Sequence, residues 1–375
     1  MARNNQFGKK ILDCIDPVLV TLCTLASILG LVAIFSATYS MGTYRLVIVQ
    51  ACALVVGLVA MLLISRVSYE LWGEVTKLIY IGNVVLLVLV LIIGMGRDTT
   101  GTRGWIDLGP ISFQPAEIVK LGFILTFAKH LQQVKEDVNY IPTLLLLALH
   151  MGVLVGLILL QPDAGTAMVF VFIFLSMIFA AGLSYKYLAI GVGAFAVAAP
   201  VFWYFKDRFL SSYQIDRFLV FFDPYRDPTG AGYNVIQSEI SIGSGQFAGK
   251  GFLQGSQNQL EYLPAKHTDF IFATIGEEWG FIGSIIVVVL LLLIITRCLY
   301  IARRANDDYG SFICTGVAAM FAFHVIENIG MCLQLMPVTG IPLPFFSYGG
   351  SSLLTSLMAI GFVNSVSRRS RSINF

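Results

Sequence analysis

From position 285 to 295 every residue is isoleucine, valine or leucine, and largely apolar, uncharged runs also occupy 84–93 and 143–160. Repeated runs of this kind leave few options. A chain immersed in hydrocarbon must satisfy its backbone polar groups internally, and helices do so segment by segment. The expected fold is all-α and polytopic, with about ten segments approaching the roughly 20 apolar residues that cross a bilayer. They lie near 15–35, 46–64, 78–95, 115–131, 142–160, 165–181, 187–205, 281–299, 312–335 and 351–366. Of the 375 residues 57% are hydrophobic and only 12% charged, with a mean hydropathy of +0.80. A soluble domain carries about twice that charged share. One membrane domain over 1–375 is expected, with 206–268 as a long loop inside it.

Positive charge orients the spans. With the N-terminus inside, the short inner segments hold Arg3, Lys9, Lys10, Arg66, Lys77, Lys129, Lys135, Lys186, Arg297, Arg303, Arg304, Arg368, Arg369 and Arg371. The short outer segments hold only Arg45, Arg97 and Arg103. Both termini are therefore expected in the cytoplasm, and the long loop, between the seventh and eighth spans, outside. Its recurring Phe218, Leu219, Phe221, Phe222, Val235, Ile236, Ile240 and Ile242 suggest short amphipathic pieces at the membrane surface. No small-residue cleavage site follows the first apolar stretch, so that span reads as a retained anchor.

Net charge of +2 and the lack of any basic tract interleaved with aromatics argue against nucleic acid as a partner. The six cysteines sit in or beside apolar segments without a CxxC pair, which suggests packing residues and no metal or disulfide framework. No internal repeat is evident, which weighs against an inverted-repeat transporter.

The orientation gathers the unusual residues on the outer face. They are Arg103-Gly104-Trp105, Gln114-Pro115-Ala116-Glu117, Gln161-Pro162-Asp163-Ala164-Gly165-Thr166, His267-Thr268-Asp269 and Ser347-Tyr348-Gly349-Gly350-Ser351-Ser352. Pro115 suits a first helical position, where Glu117 profits from the helix dipole. Glu117 and Lys120 share a helix face, either as a structural ion pair or with Lys120 meeting an anionic group. Asp163 beside a proline is explained by turn chemistry as readily as by function. The amides of Gly349, Gly350 and Ser351 suit phosphate oxygens, and the same small residues suit close helix packing. His324 and Glu327, within one span, are poor metal ligands on their own and better suited to interhelical hydrogen bonds.

Asp269 stands where the long polar loop re-enters the membrane, and acids at that depth are functional candidates. A continuous helix from Asp269 to Leu299 would measure roughly 45 Å, beyond the hydrocarbon thickness of about 30 Å. Asp269 is therefore expected in an extension or broken turn at the outer rim, with Glu277 and Glu278 about two turns further on.

The stretches 161–166, 267–273 and 340–352 together resemble the SEDS family (shape, elongation, division and sporulation) of bacterial cell-wall polymerases, and the similarity runs over nearly the whole chain. Asp227-Pro228-Thr229-Gly230-Ala231-Gly232-Tyr233-Asn234, Gln259-Leu260-Glu261-Tyr262-Leu263-Pro264 and Pro337-Val338-Thr339-Gly340 look more like its elongation branch than its division branch. Ala116, Ala164 and Trp279 depart mildly from the family pattern, and none is a charged position. The resemblance implies a peptidoglycan glycosyltransferase of the bacterial cell membrane that polymerises lipid II, partnered by a class B penicillin-binding protein and other elongation-complex membrane proteins. Its essential acid maps onto Asp269, its Glu–Lys pair onto Glu117 and Lys120, and its loop arginine onto Arg103. Asp163, His267, Ser347, Gly349, Gly350 and Ser351 complete the candidate substrate contacts. Asp269 is then expected as general base, with positive charge from Lys120, Arg103 or a divalent cation such as magnesium or manganese. The rival readings are a flippase or transporter of the same lipid-linked precursor, which His324 and Glu327 keep open, and a non-catalytic scaffold of the wall machinery.

Overall fold

A computed structural model describes residues 15–95, 104–107, 112–204, 212–230 and 232–370. The described chain is almost entirely helical. Its long helices are α1 (Pro17–Tyr39), α2 (Arg45–Arg66), α4 (Thr76–Ile93), α5 (Pro115–Val134), α6 (Ile141–Leu159), α7 (Ala164–Ala180), α8 (Tyr185–Tyr204), α12 (Ile271–Arg303), α13 (Asp308–Cys332) and α14 (Gly350–Ser370). Shorter ones are α3 (Tyr69–Glu74), α9 (Ser212–Phe222), α10 (Tyr233–Ser244) and α11 (Ser256–Gln259). A two-residue antiparallel pair, β1 (Ile106–Asp107) with β2 (Ser112–Phe113), precedes α5.

Each expected span coincides with a long helix. Among the described residues seven are long and apolar enough to cross a membrane: α1, α2, α4, α6, α12, α13 and α14. Two of the other three long helices, α5 and α7, fall short for a physical reason. Glu117, Lys120 and Lys129 charge α5, and α7 is only 17 residues long. Peripheral helices turn leucine, isoleucine and valine outward, as at Leu78, Ile92, Leu145 and Leu149, where a soluble protein would place charge. The interior is built around α13 and α14, whose faces are mostly buried. There α14 packs along α2, and α13 lies against α5, α7 and α12.

Helix ends are tied down by buried polar groups. Asp16 caps α1 through Leu19 N at 3.0 Å and takes a two-pronged bond from Arg297 of α12 at 3.2 and 2.7 Å.

Helix α12 is the irregular element. Its 33 residues would run about 50 Å if straight. Instead it breaks at Gly280 (φ 66°, ψ −164°), so a short first segment, residues 271–279, leads into a membrane-length one. The break agrees with the extension expected next to Asp269. It also frees backbone groups, and the loop after α10 takes them up. Lys250 N and Gly251 N donate to the carbonyls of Glu277 and Glu278 at 3.0 Å, while Phe281 N donates to Gln246 O at 2.8 Å and Ile282 N to Phe247 O at 3.2 Å. The carboxylates reinforce the join. Glu277 accepts from Lys250 Nζ and Gln257 N at 2.8 Å, and Glu278 accepts from Ser36 Oγ at 2.5 Å and Asn258 Nδ2 at 3.0 Å. Residues 246–258 of the long loop are thus docked on the bundle.

A Cβ at Gly280 would stand 2.2 Å from Gly249 N, in a backbone region that L-residues avoid. Gly280→Ala is expected to cost at least about 1–3 kcal/mol, from the backbone strain alone. Thermal unfolding of the detergent-solubilised protein checks this against Gly243→Ala, where an added Cβ meets nothing within 4 Å and little change is expected.

Candidate functional site

Where α5, α7, α13 and the loops before α12 and α14 converge, they enclose a cavity of about 420 Å³. Proline at the first position and the absence of a side-chain cap start α5 at the cavity edge, with Glu117 in its first turn. Lys120 follows one turn later and bonds Glu117 Oε1 at 2.8 Å, both side chains buried at 1% and 4% exposure. The same ammonium reaches His324 Nε2 of α13 at 3.0 Å, and His324 Nδ1 meets Pro342 O at 3.2 Å. The expected ion pair therefore exists, and His324 makes the interhelical bond anticipated for it.

Asp269 borders the same cavity. Its backbone oxygen is held by Asn328 Nδ2 of α13 at 2.8 Å, and the same amide nitrogen holds Ile341 O at 2.8 Å. One asparagine thus ties the acid's loop to the loop before α14. The carboxylate of Asp269 lies against Gly340 (φ 77°), 3.4 Å from where a Cβ would project. Burial pushes the Asp269 carboxyl up to about 6, with Arg217 of α9 pulling it partly back. Glu327, one residue before Asn328, accepts from Thr339 Oγ1 and lies close enough to feel the Asp269 charge.

The other candidates divide. Gly349 and Ser351 border the cavity, although the amide of Gly349 is already donated to Gln50 Oε1 at 3.1 Å. Asp163 borders it too, but its oxygens are spent on the N-terminus of α7: Thr166 N and Thr166 Oγ1, both at 2.9 Å, with Gln114 Nε2 at 3.3 Å. The turn reading accounts for those bonds. Ser347, His267 and Gly350 are not among the residues that border the cavity. Ser347 Oγ donates to Thr268 O at 2.7 Å and accepts from Leu343 N at 2.8 Å, and His267 O accepts from Tyr348 N at 2.8 Å. These residues hold the acid's loop against the start of α14. Arg103 lies outside the described residues.

Arg217, Asn234 and Thr339 border the cavity although the sequence reading did not take them as site candidates, the last two standing there only within resemblance motifs. Arg217 had a signal, being a cation in an amphipathic stretch, but nothing local places it at the cavity. Asn328 had one too, as an amide deep in an apolar span.

The FtsW, RodA and SpoVE family model, described as cell cycle protein, matches residues 17–372. The probable peptidoglycan glycosyltransferase FtsW of Trichlorobacter lovleyi is 36% identical over 364 residues, covering 94% of this chain and 93% of its own. The peptidoglycan glycosyltransferase MrdB of Escherichia coli K12 is 36% identical over 324 residues, 83% of this chain and 82% of its own. A solved structure described as showing the coordination of polymerization and crosslinking by a peptidoglycan synthase complex superposes with a TM-score of 0.83 at 34% identity, covering 96% of this chain and 99% of that one. With its membrane-length helices, this chain is a multi-pass protein of the plasma membrane and belongs to the FtsW, RodA and SpoVE family of cell cycle proteins, the SEDS family.

Proposed function

We propose that this protein is a peptidoglycan glycosyltransferase that polymerises lipid II at the outer membrane face during cell elongation, with both termini in the cytoplasm. The observation that carries the reading is an acid and a buried cation on one cavity, Asp269 and Lys120. Asp269 takes the proton from the acceptor sugar's 4-hydroxyl. The oxygen then forms a bond to the anomeric carbon of the second precursor, and the bond from that carbon to the diphosphate oxygen breaks. Undecaprenyl diphosphate leaves without needing a proton. A carboxyl raised to about 6 suits a general base near neutral pH better than an ordinary aspartate does. Such a base is worth about 10²–10⁴ in rate, and cationic stabilisation of the leaving diphosphate adds a comparable factor. Lys120 supplies that charge, joined by Arg217, which also borders the cavity, and by Arg103.

Among the described residues no three histidine, cysteine, aspartate or glutamate side chains are grouped to hold a metal ion. A divalent cation, magnesium or manganese, would have Asp269 as its candidate protein ligand in this cavity and would add positive charge for the leaving diphosphate. The partner is a class B penicillin-binding protein, a reading supported by the likeness to a chain of a complex that couples polymerization to crosslinking. A transporter would need polar groups leading to the cytoplasmic face. His324 instead turns to Lys120, and Glu327 to Thr339, both at the cavity.

Asp269→Asn, assayed with purified lipid II and the cognate transpeptidase, is expected to lose polymerisation by at least about a hundredfold. It should not unfold the protein, because an acid whose carboxyl is raised by burial costs the folded state free energy when ionised, and the amide removes that cost. A folded, partner-bound Asn variant that still makes glycan strands would refute the assignment. The wild-type rate should be flat above pH 7 and fall below about pH 6, as Asp269 takes up its proton, reaching about a tenth at pH 5. A rate that stays level down to pH 5 argues against Asp269 as the base.

A further inference from the structure

His324 lies in the apolar helix α13, yet both ring nitrogens are engaged, Nε2 with Lys120 Nζ at 3.0 Å and Nδ1 with Pro342 O at 3.2 Å. A carbonyl oxygen only accepts, so Nδ1 carries the proton and donates to Pro342. Nε2 is then the lone-pair nitrogen, which is what an ammonium N–H requires. The imidazole is therefore neutral and fixed in one tautomer. Lys120 has three N–H donors. One goes to Glu117 Oε1 at 2.8 Å and one to His324. Lys120 is 1% exposed but borders the cavity, so its third N–H has the cavity to face.

We propose that His324 is a positioning residue, which fixes the Lys120 ammonium so that its remaining N–H binds a phosphate oxygen of a diphosphate in the cavity. The inference rests on the reading of the site as one for a lipid-linked diphosphate. The chemistry of the second anchor matters. Glu117 alone would hold the ammonium by a single bond, about which the flexible lysine stem could swing. A second acceptor from another helix leaves one direction for the third hydrogen. A second carboxylate would give the trio a net negative charge and repel phosphate. A neutral imidazole anchors the lysine without that penalty.

Glutamine at position 324 can copy both bonds, its amide oxygen accepting from Lys120 and its amide nitrogen donating to Pro342 O. Leucine and phenylalanine copy neither, and phenylalanine keeps the ring volume. The full-length protein in detergent is titrated calorimetrically with inorganic diphosphate and assayed with lipid II, with thermal melting to establish folding. His324→Leu is expected to weaken diphosphate binding about tenfold and to raise KM more than it lowers kcat, with His324→Gln within about threefold of wild type. His324→Phe gives the same readout if the leucine variant does not fold. Leucine or phenylalanine variants that keep wild-type affinity and KM overturn the proposal. So does a glutamine variant as weak as leucine, or a wild-type protein that binds no diphosphate. A wild-type protein that binds diphosphate but makes no polymer overturns the glycosyltransferase reading and leaves the test of His324 intact.

Discussion

The structure depends on how the break at Gly280 is satisfied. A helix interrupted among apolar neighbours leaves carbonyls and amides that hydrocarbon cannot pair, at several kcal/mol for each group. Here the carbonyls of Glu277 and Glu278 and the amides of Phe281 and Ile282 are all met by residues 246–251. That exchange demands backbone-to-backbone contact, which is why glycine stands at both Gly280 and Gly249. It also decides where the acid lies. The short helical segment, residues 271–279, sets Asp269 beyond the membrane-length part of α12, bordering the cavity. The segment that repairs the break runs on through α11 to Asp269, so one stretch of chain serves both the fold and the site.

Carboxylates in this protein meet different fates according to their partners. Glu117 is compensated by Lys120, and Glu277 by Lys250 and backbone amides, so burial leaves each with a bonded, structural charge. Asp163 is consumed by a helix end. Asp269 differs because its backbone oxygen is gripped while burial raises its carboxyl, with the charge of Arg217 offsetting this only in part. Rigid main chain with an under-compensated acid is the combination general-base chemistry requires. The position of Gly340 against that carboxylate keeps one side of it clear of side-chain atoms.

Much of this was legible in the chain. A bilayer-length apolar run carries its own signal, and so does a charge inside one, which is why the long helices, Glu117, Lys120 and Asp269 could be read directly. The excess length between Asp269 and Leu299 pointed to a break without locating it at Gly280. What stayed hidden depends on docking. Arg217 and Asn234 reach the cavity only because the long loop folds onto the bundle, and no local pattern encodes that. His267 and Ser347 stood in the most distinctive motifs, but the fold uses the carbonyl of His267 and the hydroxyl of Ser347 to bond main-chain groups of neighbouring loops, a role that no sequence motif advertises. Glu277 and Glu278, placed by the sequence about two turns beyond Asp269 without a role, serve the break.

One helix ties the two ends of the site together. On α13, His324 holds Lys120, and four residues later Asn328 holds the main chain of Asp269, with Glu327 on Thr339 between them. Four residues of helix advance about 6 Å along the axis. The offset between the grip on the cation and the grip on the acid is therefore set by helical geometry and not by loop conformation. A glycosyl diphosphate presents its reacting carbon and its phosphates in sequence along one short stretch of bonds, so a base and a cation that serve it must keep a fixed offset. Loops alone would let that offset drift, and small misplacements of reacting groups cost large factors in rate. Carrying both grips on one largely buried helix removes the drift, which is a reason for a membrane enzyme to place amides and imidazoles in a helix that could otherwise have been wholly apolar.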